Sequence, residues 1–531
     1  MSDAPFDSNK RAEVFFQSDA LRVKIITAYW MVVLCAIPLW WYTTSITRLP
    51  LPATRVNALS WTQTLSFPVN LVVSHTHADS GPSRTEFERA IQHRAQSDDS
   101  RWGALDVRVH AENSQNLSDV FSIAFDDNLA GATHTLGFDN LSVRYASSSV
   151  SQVVDILDEL LSPYHSSKHE ADDQRVAKYS PKYRLSFTLL NEDVSSIGYR
   201  AWEIEQSVYQ YLEPTLKQLR TLHEFEVESH VQFYAPLAFQ PERVQVSADS
   251  GYWALDKEAT AIFVNSAEWT LSSSASNDPV LHFILFIPSS RHRPMHVLTP
   301  KGGAATSNAF IIPQWGGIVV FNPEPTTTQD MLTTRVLQPI FQTFHTQLQL
   351  LLGVPPAPHG TYPAPSSNTR LTPPLTQWQL AALQRARTLE NARAASEALR
   401  SIVALVGQIG HLPVREDVRA LVRAALDDLE SARLLPPRVC RYTEDLPRAF
   451  AAARDAASRA SAAFFDPGML AMLYFPAEHT YAVYTPLFAP VGVPLIVSIL
   501  REFRRWRKER EEARQRRKEK GKARMEGERP E

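Results

Sequence analysis

The chain has 531 residues, 44% hydrophobic and 21% charged, with a formal net charge of −3. That length exceeds one ordinary core, so more than one structural unit is expected. The charge balance excludes a globally basic nucleic-acid binder, and no nucleic-acid partner is expected. The average hides an asymmetry: residues 501–531 hold 14 Lys/Arg and 8 Asp/Glu, a net of +6, against −9 for the rest. The two cysteines, Cys35 and Cys440, are far apart, and Cys35 lies in an apolar run. No internal disulfide is expected, so the fold must rest on its core.

Residues 1–24 form a tail containing Lys10, Arg11, Arg22 and Lys24. Residues 25–44 follow, twenty in a row without a charge. That is enough helix to span about 30 Å of hydrocarbon. Trp30, Trp40, Trp41 and Tyr42 supply interfacial rings. The run is too long for a cleaved signal peptide and no small-x-small site follows it, so a signal anchor is expected.

Region 45–325 reads as mixed α/β. Strands are expected at 66–73, 104–110, 184–190, 225–235, 260–264, 281–287 and 317–321. Helices are expected at 84–95, 150–162 and 200–222. Region 326–465 reads as mainly helical. Leu337, Phe341, Phe344, Leu348 and Leu351 form one stripe. A Pro/Ser-rich loop is expected at 355–376. Three Ala-rich helices follow, one carrying Ala395, Leu399, Ile402, Val406 and Ile409, a second carrying Val418, Val422, Ala425 and Leu429, and a third over 447–464. Residues 466–480 form a pre-membrane segment.

Residues 481–500 are again twenty without a charge, and 501–531 form a basic tail. Pro486, Pro490 and Pro494 recur every fourth residue, near one helix face. In water they argue against a helix. In a bilayer they predict a kinked span packed against other membrane helices. Basic residues precede the first span, and Arg501, Arg504, Arg505, Arg507 and Lys508 follow the second. The positive-inside rule then places both ends in the cytosol and the large loop across the membrane, which in a eukaryote is the lumen of the endoplasmic reticulum. The sequons at Asn116 and Asn140 fit that placement. The expected fold is a mixed α/β lumenal domain with an additional α-helical segment, flanked by two transmembrane helices.

The pattern with most chemistry in it is Ser74-His75-Thr76-His77-Ala78-Asp79-Ser80, after a strand. It resembles the HxHxDH signature of metallo-β-lactamase-like hydrolases, whose His and Asp residues hold two metals that activate water. His134 is a candidate further ligand. Ser80 stands where the signature's last His belongs, and no fitting Asp and final His follow. There is no GxSxG, HExxH, Walker A or CxxC. Trp315-Gly316-Gly317 is not a dinucleotide fingerprint, and these residues are expected to permit a tight turn or close backbone approach. No catalytic, cofactor-binding or metal residue is assigned, and the lumenal loop reads as a non-catalytic scaffold.

Several blocks resemble the PIG-S family. They are Ile37-Pro-Leu-Trp-Trp-Tyr-Thr-Thr with Arg48-Leu-Pro, Tyr183–Asn191, and Trp202-Glu-Ile-Glu leading to Tyr234-Ala-Pro-Leu. Phe310-Ile-Ile-Pro-Gln-Trp-Gly-Gly-Ile ending at Asn322, Gln347-Leu-Gln-Leu-Leu-Leu-Gly, Leu473-Tyr-Phe-Pro and Val483-Tyr-Thr-Pro-Leu follow in the family's order. Stretches 74–104 and 355–376 match nothing in the family. The resemblance implies a non-catalytic, cofactor-free subunit of the GPI transamidase in the endoplasmic reticulum membrane. That complex joins the new carboxyl end of a cleaved precursor to a GPI lipid. The implied partners are PIG-K, which carries the nucleophile, PIG-T, PIG-U and the metallopeptidase-like subunit, together with membrane lipid. Two other readings are a lumenal metallo-hydrolase using His75, His77 and Asp79, and a tether whose basic tail holds anionic lipid.

Overall fold

The computed structural model describes residues 19–44, 48–58, 65–75, 82–97, 102, 104–111, 120–126, 134–144, 149–161, 175–245, 251–256, 258–260, 277–324, 331–358, 361–363, 375–410, 412–433, 444–473 and 477–526. In chain order the elements are α1 (Asp19–Thr44), α2 (Ala53–Ala58), β1 (Phe67–His75), α3 (Arg84–Ser97), β2 (Leu105–Ala111), β3 (Phe121–Phe125), β4 (His134–Leu136), β5 (Asn140–Val143) and α4 (Val150–Leu161). Then come β6 (Lys182–Asn191), β7 (Ala201–Trp202), α5 (204–219, with a π turn over Val208–Leu212), β8 (Glu224–Gln232), β9 (Glu242–Gln245), β10 (Gly251–Leu255), β11 (Val280–Ile287), β12 (Met295–Val297), β13 (Ala309–Ile312), β14 (Gly316–Val320) and β15 (Met331–Leu332). The chain ends with α6 (Thr334–Leu351), β16 (Thr361–Pro363), α7 (Gln377–Gln408), α8 (Glu416–Arg433), α9 (Asp445–Phe464), α10 (Pro467–Leu473) and α11 (Ala477–Glu526).

Contacts divide these elements between two compact units. One comprises 53–400 with 423–461, the other 1–52, 401–422 and 462–531. The first holds two main sheets. Sheet one runs β16-β4-β5-β3-β1-β2, sheet two β13-β14-β11-β6-β8. In sheet one, β1, β2, β3 and β5 are parallel, and β4 runs against β5. In sheet two, β6, β8, β11 and β14 are parallel, and β13 closes a hairpin on β14. Parallel strands need long crossovers and two covered faces, so their sequences run nearly all apolar. β11 (VLHFILFI) follows that rule, whereas β6 (KYRLSFTLLN) alternates apolar with polar residues; both are buried almost throughout.

Alternation decides what each face of sheet two meets. Tyr183, Leu185, Phe187 and Leu189 share a core with Phe283 and Leu285, and with Leu216 of α5 and Phe341 and Phe344 of α6. Phe187 stacks on Phe283 at 5.1 Å and on Phe341 at 5.8 Å. The opposite residues, Leu190, Ile284, Phe286, Ile318 and Val320, pack against Leu255, Met295 and Val297 of the small sheet β12-β10-β9. Asn308 and Asn322 fix that small sheet. Asn308 accepts from Val297 N at 2.8 Å and donates to Met295 O and Val320 O, while Asn322 brackets Met295 from the other side. Asn308 has φ 46°, a left-handed conformation asparagine tolerates better than most residues.

Helix α7 reaches both main sheets. Trp378 stacks on Phe121 of β3 at 4.1 Å. Arg385, fully buried, donates to Leu161 O at the end of α4 at 3.0 Å. Arg387, 4% exposed, donates to Leu352 O at the end of α6 at 2.9 Å and to Ala177 O at 3.3 Å, and it pairs with Glu390. The last carbonyls of a helix lack intrahelical donors and carry the negative end of its dipole, so each arginine meets a double demand. On the other side of α4, the buried Asp158 accepts from Trp102 Nε1 at 2.7 Å and from Arg94 at 3.3 Å.

The mixed α/β class agrees with the sequence, as do the strands at β1, β2, β6, β8, β11 and β14. Three expectations change. The helix expected over 200–222 starts at Ile204, because Ala201–Trp202 pairs with β15 instead. Thr260 belongs to a short helical turn, and 261–264 lie outside the described residues. The Pro/Ser-rich stretch 355–376 contributes β16, which pairs with β4 in parallel.

Replacing Arg387 with Met should strand the Leu352 carbonyl in a dry interior. Equilibrium unfolding of the detergent-solubilised chain should show a loss of about 2–4 kcal/mol. Arg387→Lys should recover only part of it, since one ammonium cannot reproduce the planar fork.

Candidate functional site

His75 ends β1, where it stacks on Phe125 at 5.4 Å and its Nε2 lies 3.2 Å from Pro82 O. His77, Asp79 and Ser80 lie outside the described residues. His134 begins β4, 4% exposed, with burial pushing its pKa down. In the sheet order β5 and β3 stand between β4 and β1. At about 4.8 Å per strand that puts the two backbones roughly 14 Å apart. Ligands of one metal bond at about 2 Å, so His134 and His75 do not form a common site.

Parallel α/β sheets bind ligands beyond the carboxyl ends of the strands where winding reverses. In sheet two that point lies between β6 and β11. Glu192, just after β6, accepts from Ser289 N at 2.8 Å and contacts His292 Nδ1 at 2.5 Å. His292 meets the Trp253 ring edge-on at 5.2 Å. Asn191, fully buried, donates to Tyr199 O and accepts from Tyr199 N. These side chains tie the ends of β6 and β11 to their own following loops.

A second polar group lies on the face of sheet two that carries Leu190. Arg184, Ser186 and Thr188 of β6 are all buried, and register sets Ser186 beside Glu228 on β8 and His282 on β11. Arg184 Nη1 pairs with Glu228 Oε2 at 3.5 Å. The Ser186 hydroxyl and His282 Nδ1 make no hydrogen bond. A nucleophile needs a base within hydrogen-bond reach, so this Ser-His-Glu adjacency is not an assembled triad.

Trp315 sits in the β13–β14 turn and stacks on His282 at 4.6 Å. Gly316 and Gly317 open strand β14 rather than making the turn. A Cβ on Gly316 would lie 2.0 Å from His282 O, and one on Gly317 would lie 2.1 Å from the Gln347 side chain. Gln347, 3% exposed, donates to Phe310 O at 3.1 Å and Ile318 O at 3.4 Å. The glycines therefore admit a helix side chain between two strands. Gln347, like Arg385 and Arg387, escaped sequence reasoning because a polar residue on a helix reads as solvent-facing.

Asn140 opens β5, exposed, and its side chain lies over Gly137. Asn116 lies outside the described residues.

In the second unit, two helices are long and apolar enough to cross a membrane, with windows at Val23–Thr43 and Ala482–Lys518. Trp40 of α1 meets Tyr484 and Phe488 of α11 edge-on, each at 5.5 Å. Between them is a groove of about 420 Å³ whose lining includes Trp30, Ala36, Leu487, Val491 and Gly492. α11 runs unbroken through the three prolines into the basic tail, and Pro486, Pro490 and Pro494 are all exposed. The second unit also anchors Arg48, which donates to Gly410 O at 3.1 Å and to Val406 O.

The family described as "Phosphatidylinositol-glycan biosynthesis class S protein" matches residues 27–509. The rat "GPI-anchor transamidase component PIGS" is 29% identical, covering 93% of this chain and 95% of its own length. The Schizosaccharomyces pombe "GPI transamidase component PIG-S homolog" is 25% identical, over 92% of this chain and 85% of its own. The Saccharomyces cerevisiae "GPI transamidase component GPI17" is 26% identical, over 59% of this chain and 56% of its own.

Two outcomes follow. Gly316→Ala forces the β14 backbone away from β11 and should cost about 2 kcal/mol or more, whereas Gly303→Ala, whose nearest neighbour is 3.8 Å away, should be near neutral. Burial also lowers the pKa of His223, His282 and His345 to about 4. The unfolded chain takes up these protons near the ordinary value of 6.5, and the folded chain does not. Stability should therefore be full above about pH 6.5 and fall towards pH 4, by at most about 1.4 kcal/mol per pH unit for each histidine. Thermal melts at pH 7 and pH 5 measure this, and His345→Gln should flatten the slope.

Proposed function

This chain belongs to the PIG-S family, and on that footing we propose that it is a non-catalytic subunit of the GPI transamidase complex, anchored in the endoplasmic reticulum membrane by α1 and α11. The observation that carries the reading is the extent of the family match. Residues 27–509 include nearly all of the first apolar helix, the α/β unit and the second apolar helix. Relatives from mammals and fission yeast that match over more than nine tenths of this chain bear the names of transamidase components.

In this reading residues 45–480 face the lumen and both ends lie in the cytosol, since basic residues flank each span on its outer side. The chemistry of precursor cleavage and transfer belongs to PIG-K. PIG-T, PIG-U and the metallopeptidase-like subunit complete the assembly. The α/β unit is then a scaffold. Support comes from the polar side chains described above: Glu192, Asn191, Gln347, Arg385 and Arg387 each hold backbone of their own chain. Asn116 and Asn140 are proposed glycan acceptors, and a glycan there reports the lumenal side.

A tagged chain purified from microsomes in gentle detergent should bring down a cysteine-protease-like subunit and multi-span partners at near-equal amounts. Asn140→Gln should remove one endoglycosidase-sensitive mobility step. Recovery of the chain alone overturns the subunit reading, and loss of the tail to protease only after the vesicles are opened overturns the orientation.

A further inference from the structure

Proline lacks the amide hydrogen that a helix gives to the carbonyl four residues back. In α11 the carbonyls of Ala482, Pro486 and Pro490 therefore lose their regular donors at Pro486, Pro490 and Pro494. A hydroxyl three or four residues along the same helix can replace such a donor. Ser498 shows the geometry, donating to Pro494 O at 2.7 Å, a carbonyl that also keeps its regular donor position in the Ser498 amide. Thr485 stands at the position from which a hydroxyl can serve Ala482. For Pro486 and Pro490 the corresponding positions hold Ala489, Pro490, Val493 and Pro494, none with a side-chain donor. Two backbone acceptors one turn apart, about 6 Å, are left without their regular amide donor and without a side-chain substitute at the next turn of their own helix.

Their direction is also fixed. Tyr484 and Phe488 turn towards Trp40 of α1, and Gly492 and Leu495 line the groove beside them. At ~100° per residue, Pro486 and Pro490 lie about 160° around the helix from that group. All three prolines are exposed, and so are Val493 and Val497 near them. Hydrocarbon offers no donor, and in lipid every backbone polar group needs one. The two acceptors lie roughly 9 and 15 Å inside the apolar run, below the headgroups.

We propose that the proline face of α11 docks a transmembrane helix of another subunit, which presents two hydroxyl or carboxamide donors one turn apart to the carbonyls of Pro486 and Pro490. This rests on the membrane-subunit reading and adds the site and chemistry of the intramembrane contact. The prolines act here by withholding hydrogens.

The test restores those hydrogens. Pro490→Ala with Pro494→Ala returns both missing N–H groups and gives a better helix. In gentle detergent this double variant should recover its intramembrane partner roughly ten-fold less well than wild type. Gly492→Ala, whose Cβ meets nothing within 4 Å on the α1 side, should recover it fully. p-Benzoylphenylalanine in place of Val497 should photocross-link to a multi-span subunit, and in place of Leu495 it should not. Undiminished recovery with the double variant, or Val497 adducts with lipid alone, overturns the proposal while the subunit reading stands. A wild-type chain that brings down no partner overturns both.

Discussion

The large unit depends on charged groups buried where helices end. Its two mainly parallel sheets are separate, and among the described residues no strand pairing joins them. Helix α7 does, by driving Arg385 into the last carbonyl of α4 and Arg387 into the carbonyls of Leu352 and Ala177. A helix end would otherwise turn its bare carbonyls to water or to a glycine cap. A buried guanidinium is tolerable only where acceptors are already waiting, and a carbonyl end is such a place. Each requirement removes the other, and the pair fixes where α4 and α6 stop relative to α7. Tyr179 N reaching Glu390 at 3.2 Å belongs to the same junction.

Much of this fold was legible in the sequence because its central strands are buried on both faces. β11 is a dense apolar run, β6 shows Leu185, Phe187 and Leu189 in alternation, and the Leu337–Leu351 stripe predicts α6. What stayed hidden has a common cause, distance along the chain. β16 is three residues within a Pro/Ser-rich stretch, defined only by its pairing with β4, more than two hundred residues earlier. β9, β10 and β12 are short and gain meaning only as a lid for Ile284, Phe286 and Ile318. Arg385 and Arg387 lie on an Ala-rich helix whose pattern suggests exposed arginines. No local rule says that two helix ends arrive there.

The same reasoning applies to two short motifs. His75 lies at the end of a strand, and His134, across two intervening strands, serves a core, so the two do not share a metal site, while His77 and Asp79 lie outside the described residues. The Trp-Gly-Gly motif concerns backbone approach, which geometry can answer directly. Gly316 lies against the backbone of β11, and Gly317 leaves the space through which Gln347 reaches two carbonyls. Sequence identified the residue type that permits such approach. It did not say which side chain would come through.

The membrane helix reverses that division. A proline's missing hydrogen is visible in sequence without any structure, and so is the absence of donors at 489, 490, 493 and 494. Direction is what sequence could not supply. It comes from Trp40 seated against Tyr484 and Phe488, which commits one side of α11 to α1 and leaves the acceptors on the other. A single span in plain lipid would be better served by alanine or leucine at these positions, since each would keep its carbonyls bonded and its apolar surface intact. Three prolines at four-residue spacing are costly for a helix that stands alone. They become useful when the freed carbonyls are the contact, because a backbone acceptor cannot change rotamer and offers a neighbouring helix a fixed register. The large unit and the membrane helix thus use unpaired carbonyls in the same way, as anchoring points for donors that arrive from another element.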